Sequence, residues 1–410
     1  MLRARPLLRA RVATATVFVL LGVVQGTLAG RMPALKAHAG LTDGLLGLAL
    51  LGVPLGSILA VLVSGRWIAR RGSAPVTVVG ALAMCVAVVL PAYAPGFALL
   101  ALALVLLGVG IGLTDTAMNA HAVLVEKGHA RPIMASFHAF ASLGNLAGAV
   151  LGAGAARLAL APQVQFPAVA AAALAVTLVV RGGLLPGSAD ATPPEPVAPD
   201  PRAPGPSGTD ASRPGRRSGA AWSGALVLLA AVALLAWMSE HAVADWSAVY
   251  LRDRTGASAS VATYGYALFA AAMVLTRFGS DRVVARVGPR RVLRWGGLLA
   301  GCGLAGGLAT GTVVGGVVGF GLVGIGMAGV VPVVFTAAGS LRGTSAGHAV
   351  SKVAGVAFAG SLVGPPLIGL VADRSSLRVA LLVVAAGAVL IGVLGPVALR
   401  ASDGEEVRSP

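Results

Sequence analysis

Charged residues are scarce in this chain of 410 residues: Asp, Glu, Lys and Arg make up 11%, aromatic residues 5%, and there are two cysteines. So few charges exclude an ordinary water-soluble protein, in which about a quarter of the residues are charged. Cys85 and Cys302 both lie in apolar stretches, which excludes a disulfide framework and favours packing roles. The sequence also lacks a GxxxxGK[ST] phosphate loop and any nucleophile, base or metal-ligand group at recognisable spacing. We therefore predict neither enzymatic activity nor a cofactor.

Hydrophobic residues take the place of charge and make up 57% of the chain. They occur in runs of roughly twenty, long enough to cross the hydrocarbon core of a bilayer, and each run ends at Gly, Pro or a charge. The pattern predicts an all-α polytopic membrane protein with twelve transmembrane helices. The predicted spans cover residues 12–30, 45–64, 76–94, 97–123, 133–157, 164–183, 221–249, 259–280, 292–310, 312–338, 348–371 and 377–399.

The segment between the sixth and seventh predicted spans differs in composition from the rest. Residues 186–217 hold nine of the 24 prolines and several acidic residues, a mixture that neither continues a helix nor forms a core. We predict a six-helix bundle over residues 1–184, a cytoplasmic linker over 185–219 and a second six-helix bundle over 220–410. Residues 1–29 also resemble a secretory signal peptide, but a counterpart in the second half favours an uncleaved first helix.

Lys and Arg are distributed unevenly between the two sides of the predicted membrane. With the N-terminus inside, 24 of the 31 fall on the inner side. The positive-inside rule then places both termini and the linker in the cytoplasm, as in a multi-pass protein of the cytoplasmic membrane. The formal charge of +16 is thus explained by topology, and no nucleic-acid partner is predicted, because the basic residues are not interleaved with aromatic residues.

An eight-residue block occurs twice, 216 positions apart. Residues 65–72 read GRWIARRG and residues 281–288 read DRVVARVG, so that both blocks share Arg, Ala, Arg and Gly at the same spacing. A period of about half the chain indicates an internal duplication into two equivalent bundles with a solute site between them.

The repeated basic loop resembles the signature loop of the major facilitator superfamily, although Ala69 and Ala285 stand where the family pattern has an aspartate. The stretches from Met118 to Ala149 and from Glu240 to Leu251 are similar to a bacterial branch that includes fucose-permease-like and poorly characterised inner-membrane members. The resemblance implies two pseudo-symmetric six-helix bundles and secondary transport. It also implies a cytoplasmic gate at the repeated loop, formed by Arg66, Arg70, Gly72, Arg282, Arg286 and Gly288.

Polar residues inside predicted spans are candidates for the solute or proton pathway, because charge at membrane depth is costly. Asp115 lies in the fourth span with Asn119 one turn later, and we predict that Asp115 carries a proton or else forms a structural pair between helices. The fifth span carries a polar stripe that contacts either solute or neighbouring helices. The stripe consists of His138, Ser142 and Asn145.

Three further candidates lie in the seventh span. Glu240 and Asp245 are predicted in its outward half, beside Trp246 and Tyr250, which resemble an interfacial aromatic belt. His241 precedes Asp245 by four residues, so the two are predicted to pair.

Four other polar residues lie in or next to predicted spans. Gln25 stands in the first span where fucose-permease relatives commonly carry an aspartate. Arg277 is expected to extend toward the membrane surface, and His121 and His129 are expected to be solvated at the inner end of the fourth span.

These features predict a monomeric secondary transporter that moves a small solute by alternating access, coupled to protons. The alternatives are a drug-type proton antiporter and a membrane sensor or scaffold that has the fold but transports nothing. Solute flux in vesicles would distinguish a transporter from a sensor.

Overall fold

The computed structural model describes residues 4–129, 133–186, 222–341 and 346–407, and within them every long element is an α-helix. Twelve helices are long and apolar enough to cross a membrane, which confirms the predicted fold class. The predicted linker lies, from residue 187 onward, outside the described residues. The spans are Pro6–Ala39, Asp43–Arg71, Ser73–Tyr93, Gly96–Lys127, Ser136–Arg157, Pro162–Gly183, Gly224–Thr255, Ala259–Ser280, Pro289–Thr310, Val313–Gly339, Lys352–Arg374 and Leu377–Ser402.

We call the side of the membrane on which the first span begins and the twelfth span ends the terminal side, and the opposite side the distal side. Within the first six spans, the first packs against the fifth, the fourth against the second and third, and the third against the sixth. The second six repeat these pairings six spans later: seventh with eleventh, tenth with eighth and ninth, and ninth with twelfth. The same packing scheme in both halves agrees with the duplication seen in the sequence.

Glycine ends the repeated basic block in both halves with the same backbone conformation. Gly72 has φ 81° and ψ 164°, and Gly288 has φ 84° and ψ 151°. Each donates its backbone N–H to a carbonyl of the preceding helix turn, Ile68 at 2.8 Å and Val284 at 2.9 Å. Because positive φ is strained for residues with a Cβ, the glycine allows one span to end and the next to begin within a single residue.

The first and fifth spans approach each other through glycine. A Cβ on Gly22 would overlap the carbonyl oxygen of Ala141, and a Cβ on Gly26 would overlap that of Asn145. In return, a Cβ on Gly144 would overlap the carbonyl oxygen of Val19. Small residues let helix backbones touch in a membrane, where burial of apolar surface does not drive association. The contact fixes the polar stripe of the fifth span beside the first span.

Candidate functional site

A cavity of about 750 Å³ lies between the two bundles. We call it the central cavity. Its walls come from the first, second, fourth and fifth spans on one side and from the seventh, eighth and eleventh on the other. It extends from the middle of the spans toward their terminal ends, where Arg277 and Gly355 belong to its lining. The volume is in the range that binds small molecules.

The central cavity brings together eight of the nine residues predicted to line it. These are Gln25, Asp115, His138, Ser142, Asn145, Glu240, His241 and Asp245. Asn119 is not part of the lining. Its Nδ2 donates to the Asp115 carboxylate at 3.1 Å and to the Asp115 backbone carbonyl at 2.8 Å, so that it holds the acidic side chain from one turn away.

The seventh span differs from the prediction. Glu240 lies midway along the helix Gly224–Thr255, and both Glu240 and Asp245 line the cavity. The prediction of an interfacial aromatic belt is wrong, because Trp246 is 0% and Tyr250 1% exposed. Tyr250 packs edge-on against Phe320 with ring centroids 6.1 Å apart. These rings are core residues that hold the seventh span in its bundle.

His241 and Arg277 each have a close partner that the sequence did not indicate. The Nδ1 of His241 lies 2.9 Å from the carbonyl oxygen of Trp237, and the described residues show no ion pair between His241 and Asp245. Arg277 lines the cavity with its Nη2 3.6 Å from Oε2 of Glu240. It therefore contributes charge to the site, contrary to the expectation that it extends to the membrane surface.

His121 is buried rather than solvated, since it is only 1% exposed. Its Nδ1 lies 2.8 Å from the hydroxyl of Ser73, and its Nε2 accepts the backbone N–H of Leu185 at 3.2 Å. The ring thus connects the third and fourth spans to the segment that follows the sixth. His129 is half-buried, with its Nδ1 2.9 Å from the carbonyl oxygen of Val125 on its own helix.

Aromatic residues complete the wall of the cavity, and the sequence reasoning did not identify them. Trp237, Tyr266 and Phe358 line it, with the rings of Trp237 and Phe358 edge-on at 6.1 Å. Aromatic residues in apolar spans are usual in membrane helices. Nothing in their spacing distinguishes a cavity ring from a packed one.

A network of ion pairs joins the two bundles at the distal side. Lys36 Nζ lies 2.6 Å from Oδ1 of Asp43 and 2.6 Å from Oδ2 of Asp253, so one ammonium bridges both halves. Thr42 donates its hydroxyl to Asp373 at 2.9 Å, and Arg254 Nη2 lies 3.7 Å from Asp43 Oδ2. We call these six residues the distal polar network. Nothing in the sequence indicated that Lys36 and Arg254 meet the same carboxylate.

Glycine closes the same end of the molecule beneath this network. A Cβ on Gly47 would overlap the carbonyl oxygen of Pro365, and one on Gly369 would lie 2.5 Å from the carbonyl oxygen of Asp43. The second and eleventh spans therefore touch backbone to backbone at their distal halves. Among the described residues, the distal ends of the two bundles are joined, whereas the lining of the cavity extends toward the terminal side.

The residues predicted to form a gate lie on the terminal side. Arg66, Arg70, Arg282 and Arg286 are exposed, and none of them is in an ion pair with another described residue. No group of three or more His, Cys, Asp or Glu side chains that could hold a metal ion is present in the described part of the chain.

Comparison with known proteins supports a single family. The family model described as Major Facilitator Superfamily matches residues 14–346 and 246–410. An uncharacterized MFS-type transporter of Yersinia pestis is 33% identical over 376 residues, 92% of both chains. An uncharacterized transporter of Sinorhizobium fredii is 34% identical over 380 residues, 93% of this chain and 96% of the relative.

A solved structure has the same fold at low sequence identity. It is a bacterial homolog to the human lysosomal transporter Spinster, in an inward-facing and unoccupied conformation. It superposes with a TM-score of 0.76 at 13% identity, over 98% of this chain and 99% of the other. The sequence and fold evidence agree: this chain is a multi-pass membrane protein of the major facilitator superfamily, a family of transporters and not of enzymes.

Proposed function

We propose that the chain is a secondary transporter of the cytoplasmic membrane that moves a small solute by alternating access, coupled to protons. The observation that carries the proposal is the central cavity, which holds three carboxylates between two bundles and extends toward the terminal ends of the spans, while ion pairs and glycine contacts join their distal ends. A site at membrane depth that solvent reaches from one side is what a transporter needs in one of its two states.

The terminal side is proposed to face the cytoplasm. The excess of Lys and Arg on that side supports this orientation, which places both termini inside. The state described here is then inward-facing, and the distal polar network is its closed outer end. The chain is proposed to act as a monomer, because each chain contains both halves of the cavity.

Asp115 is the proposed proton carrier. It lines the cavity from the fourth span, with no basic side chain within ion-pair distance among the described residues, whereas Glu240 already faces Arg277. A charged carboxylate is costly at membrane depth, so a change from a wetted to a closed cavity favours its neutral, protonated form. That change couples proton binding to the switch between the two states.

The outward-facing state is proposed to close at the terminal side. The repeated arginines Arg66, Arg70, Arg282 and Arg286 would approach helix ends and anionic lipid there, with Gly72 and Gly288 setting the loop geometry. Their exposure in the present state supports this, since a gate that is open has no partners to hold.

The test is proton flux in proteoliposomes loaded with a pH-sensitive dye, with sugars, polyols and hydrophobic amines as solutes. Wild type should show solute-dependent flux, and Asp115→Asn should lose it. Glu126→Gln is the matched control, because Glu126 lies in the same span, outside the cavity, and accepts two backbone N–H groups that a glutamine can also bind.

Two outcomes would contradict the proposal. Equal flux in wild type and Asp115→Asn would assign the proton to another carboxylate, with Glu240 and Asp245 the remaining candidates in the cavity. Absence of flux with every solute tested, in protein that elutes as a single folded species, would favour a sensor with this fold over a transporter.

A further inference from the structure

Two buried acceptor atoms in the lining of the central cavity lack a hydrogen-bond partner among the described residues. They are Oε1 of Glu240 and Oδ1 of Asn145. Both are acceptors, and they come from opposite bundles. A buried acceptor without a donor costs roughly 1–3 kcal/mol. A solute that donates hydrogen bonds to both bundles would recover that free energy.

The formal charge of the cavity is negative. Its lining contains three carboxylates, on Asp115, Glu240 and Asp245, against one guanidinium, on Arg277. With neutral histidines the lining carries a net charge of −2, and it remains negative when one carboxylate holds a proton. An anionic solute would meet repulsion there, and a cationic one attraction.

The aromatic wall lies next to the acidic residues. Trp237 precedes Glu240 by three residues on the seventh span, so the two side chains share one face of the helix. Tyr266, Phe269 and Phe358 complete the wall. Aromatic ring faces attract cations, and indole does so most strongly. Carboxylate and ring together form a site for a positively charged nitrogen with an apolar substituent.

Arg277 currently occupies the position of a cation next to Glu240, but loosely. The two side chains are 3.6 Å apart, beyond hydrogen-bond distance, and are 38% and 21% exposed. A pair of this kind contributes little stability, so another cation can replace the guanidinium.

We propose that the central cavity binds a small organic cation, whose protonated nitrogen lies between Glu240 and the ring of Trp237 and displaces Arg277. The inference gives the substrate class of the transporter proposed above and rests on that function for transport, though not for binding. Arg277 then neutralises Glu240 while the cavity holds no solute.

The test is equilibrium binding of radiolabelled probes to the purified full-length protein in detergent. Three compounds share a ring and differ in charge: 2-phenylethylamine, 2-phenylethanol and phenylacetate. Tetramethylammonium is a second cation, without a ring. We expect at least one of the two cations to bind at least tenfold more tightly than the alcohol and the anion.

Substitutions locate the site. Glu240→Gln should weaken cation binding at least tenfold, Glu240→Asp should retain part of it, and Arg277→Gln should strengthen it severalfold by removing the competing guanidinium. Glu126→Gln should leave binding unchanged. A folded Glu240→Gln protein that binds the cation as wild type does would overturn the assignment, as would an Arg277→Gln protein with weaker binding.

The outcomes separate this inference from the proposed function. Solute-driven proton flux with a neutral compound, in protein that binds neither cation, would overturn the organic-cation site and leave the transporter standing. Cation binding without flux in proteoliposomes would support the site and contradict transport.

Discussion

Asp115 and Glu240 line the same cavity but have different surroundings. In each case one neighbouring side chain makes the difference. Asp115 receives a hydrogen bond from Asn119 on its own helix, whereas Glu240 faces Arg277 from the next span and keeps one oxygen without a partner. The sequence made both residues candidates for the solute or proton pathway, because a charged side chain is costly inside a membrane. It could not show that Glu240 faces a basic partner, because Arg277 is 37 residues away from Glu240 along the chain.

His121 gives a prediction at the residue scale. His121→Ala should lower the free energy of unfolding by about 1–3 kcal/mol, because it leaves the buried N–H of Leu185 without its acceptor. The measurement is the thermal unfolding midpoint in detergent. His129→Ala is the control, since the hydrogen bond of that half-buried ring is to a carbonyl of its own helix. Equal midpoints for the two variants would contradict a structural role for His121.

At the scale of elements, the repeated block is best understood through its glycines. Gly72 and Gly288 have nearly the same positive φ and end equivalent spans. A Cβ on Gly65, Gly279 or Gly288 would meet no atom within 4 Å, and of these three glycines Gly288 alone has a positive φ. Backbone conformation, rather than close packing, is therefore the requirement at the loop.

Alanine substitutions should separate the two kinds of glycine. Gly72→Ala and Gly288→Ala should each destabilise the protein by roughly 1–3 kcal/mol, the cost of a Cβ at positive φ with extended ψ, a backbone conformation that is essentially restricted to glycine. Gly65→Ala and Gly279→Ala lie in helix interiors with open space, and should stabilise it by up to about 1 kcal/mol. Thermal unfolding of the four variants measures both effects. If Gly65→Ala lost as much stability as Gly72→Ala, helix packing rather than φ would determine the cost of these substitutions.

For the whole molecule, the decisive contacts are those between bundles. Lys36 joins Asp43 of its own half to Asp253 of the other, while the second and eleventh spans touch at glycine. Partly exposed ion pairs contribute about 0.2–1 kcal/mol each. An equilibrium between two states of similar free energy responds strongly to changes of that size.

Breaking the distal polar network should shift the protein toward its other state. A cysteine at Ser142, in a background with Cys85→Ala and Cys302→Ala, reports which side of the membrane reaches the cavity. Lys36→Ala should raise labelling by a membrane-impermeant maleimide from the distal side roughly fivefold, the effect of about 1 kcal/mol. The Lys36→Asp, Asp253→Lys exchange should restore part of the wild-type pattern. Arg374→Ala is the control, because Arg374 bonds to its own helix.

The proposed terminal gate predicts the opposite shift in the same assay. Arg70→Ala combined with Arg286→Ala should leave expression intact and reduce labelling from the distal side, because the outward-facing state loses its closed end. Labelling that matches wild type from both sides would remove these arginines from the gate.

By itself, the sequence determined that this protein lies in a lipid bilayer. It also determined the twelve spans, the duplication and the family. Each of these depends on composition or on a pattern repeated along the chain, such as apolar runs of sufficient length or the block that recurs at residues 65–72 and 281–288. Eight of the nine predicted cavity residues were found because a polar side chain in an apolar helix must face the interior.

The tertiary structure alone decided which spans meet and which end is closed. The partnership of Arg277 with Glu240, the burial of Trp246 and the bridge from Lys36 to Asp253 join residues that no local pattern connects. Helix rotation and bundle contacts set these pairs, and both depend on packing across the whole molecule. The physical reason is that hydropathy determines how deep a residue lies in the membrane, but not which neighbour it faces.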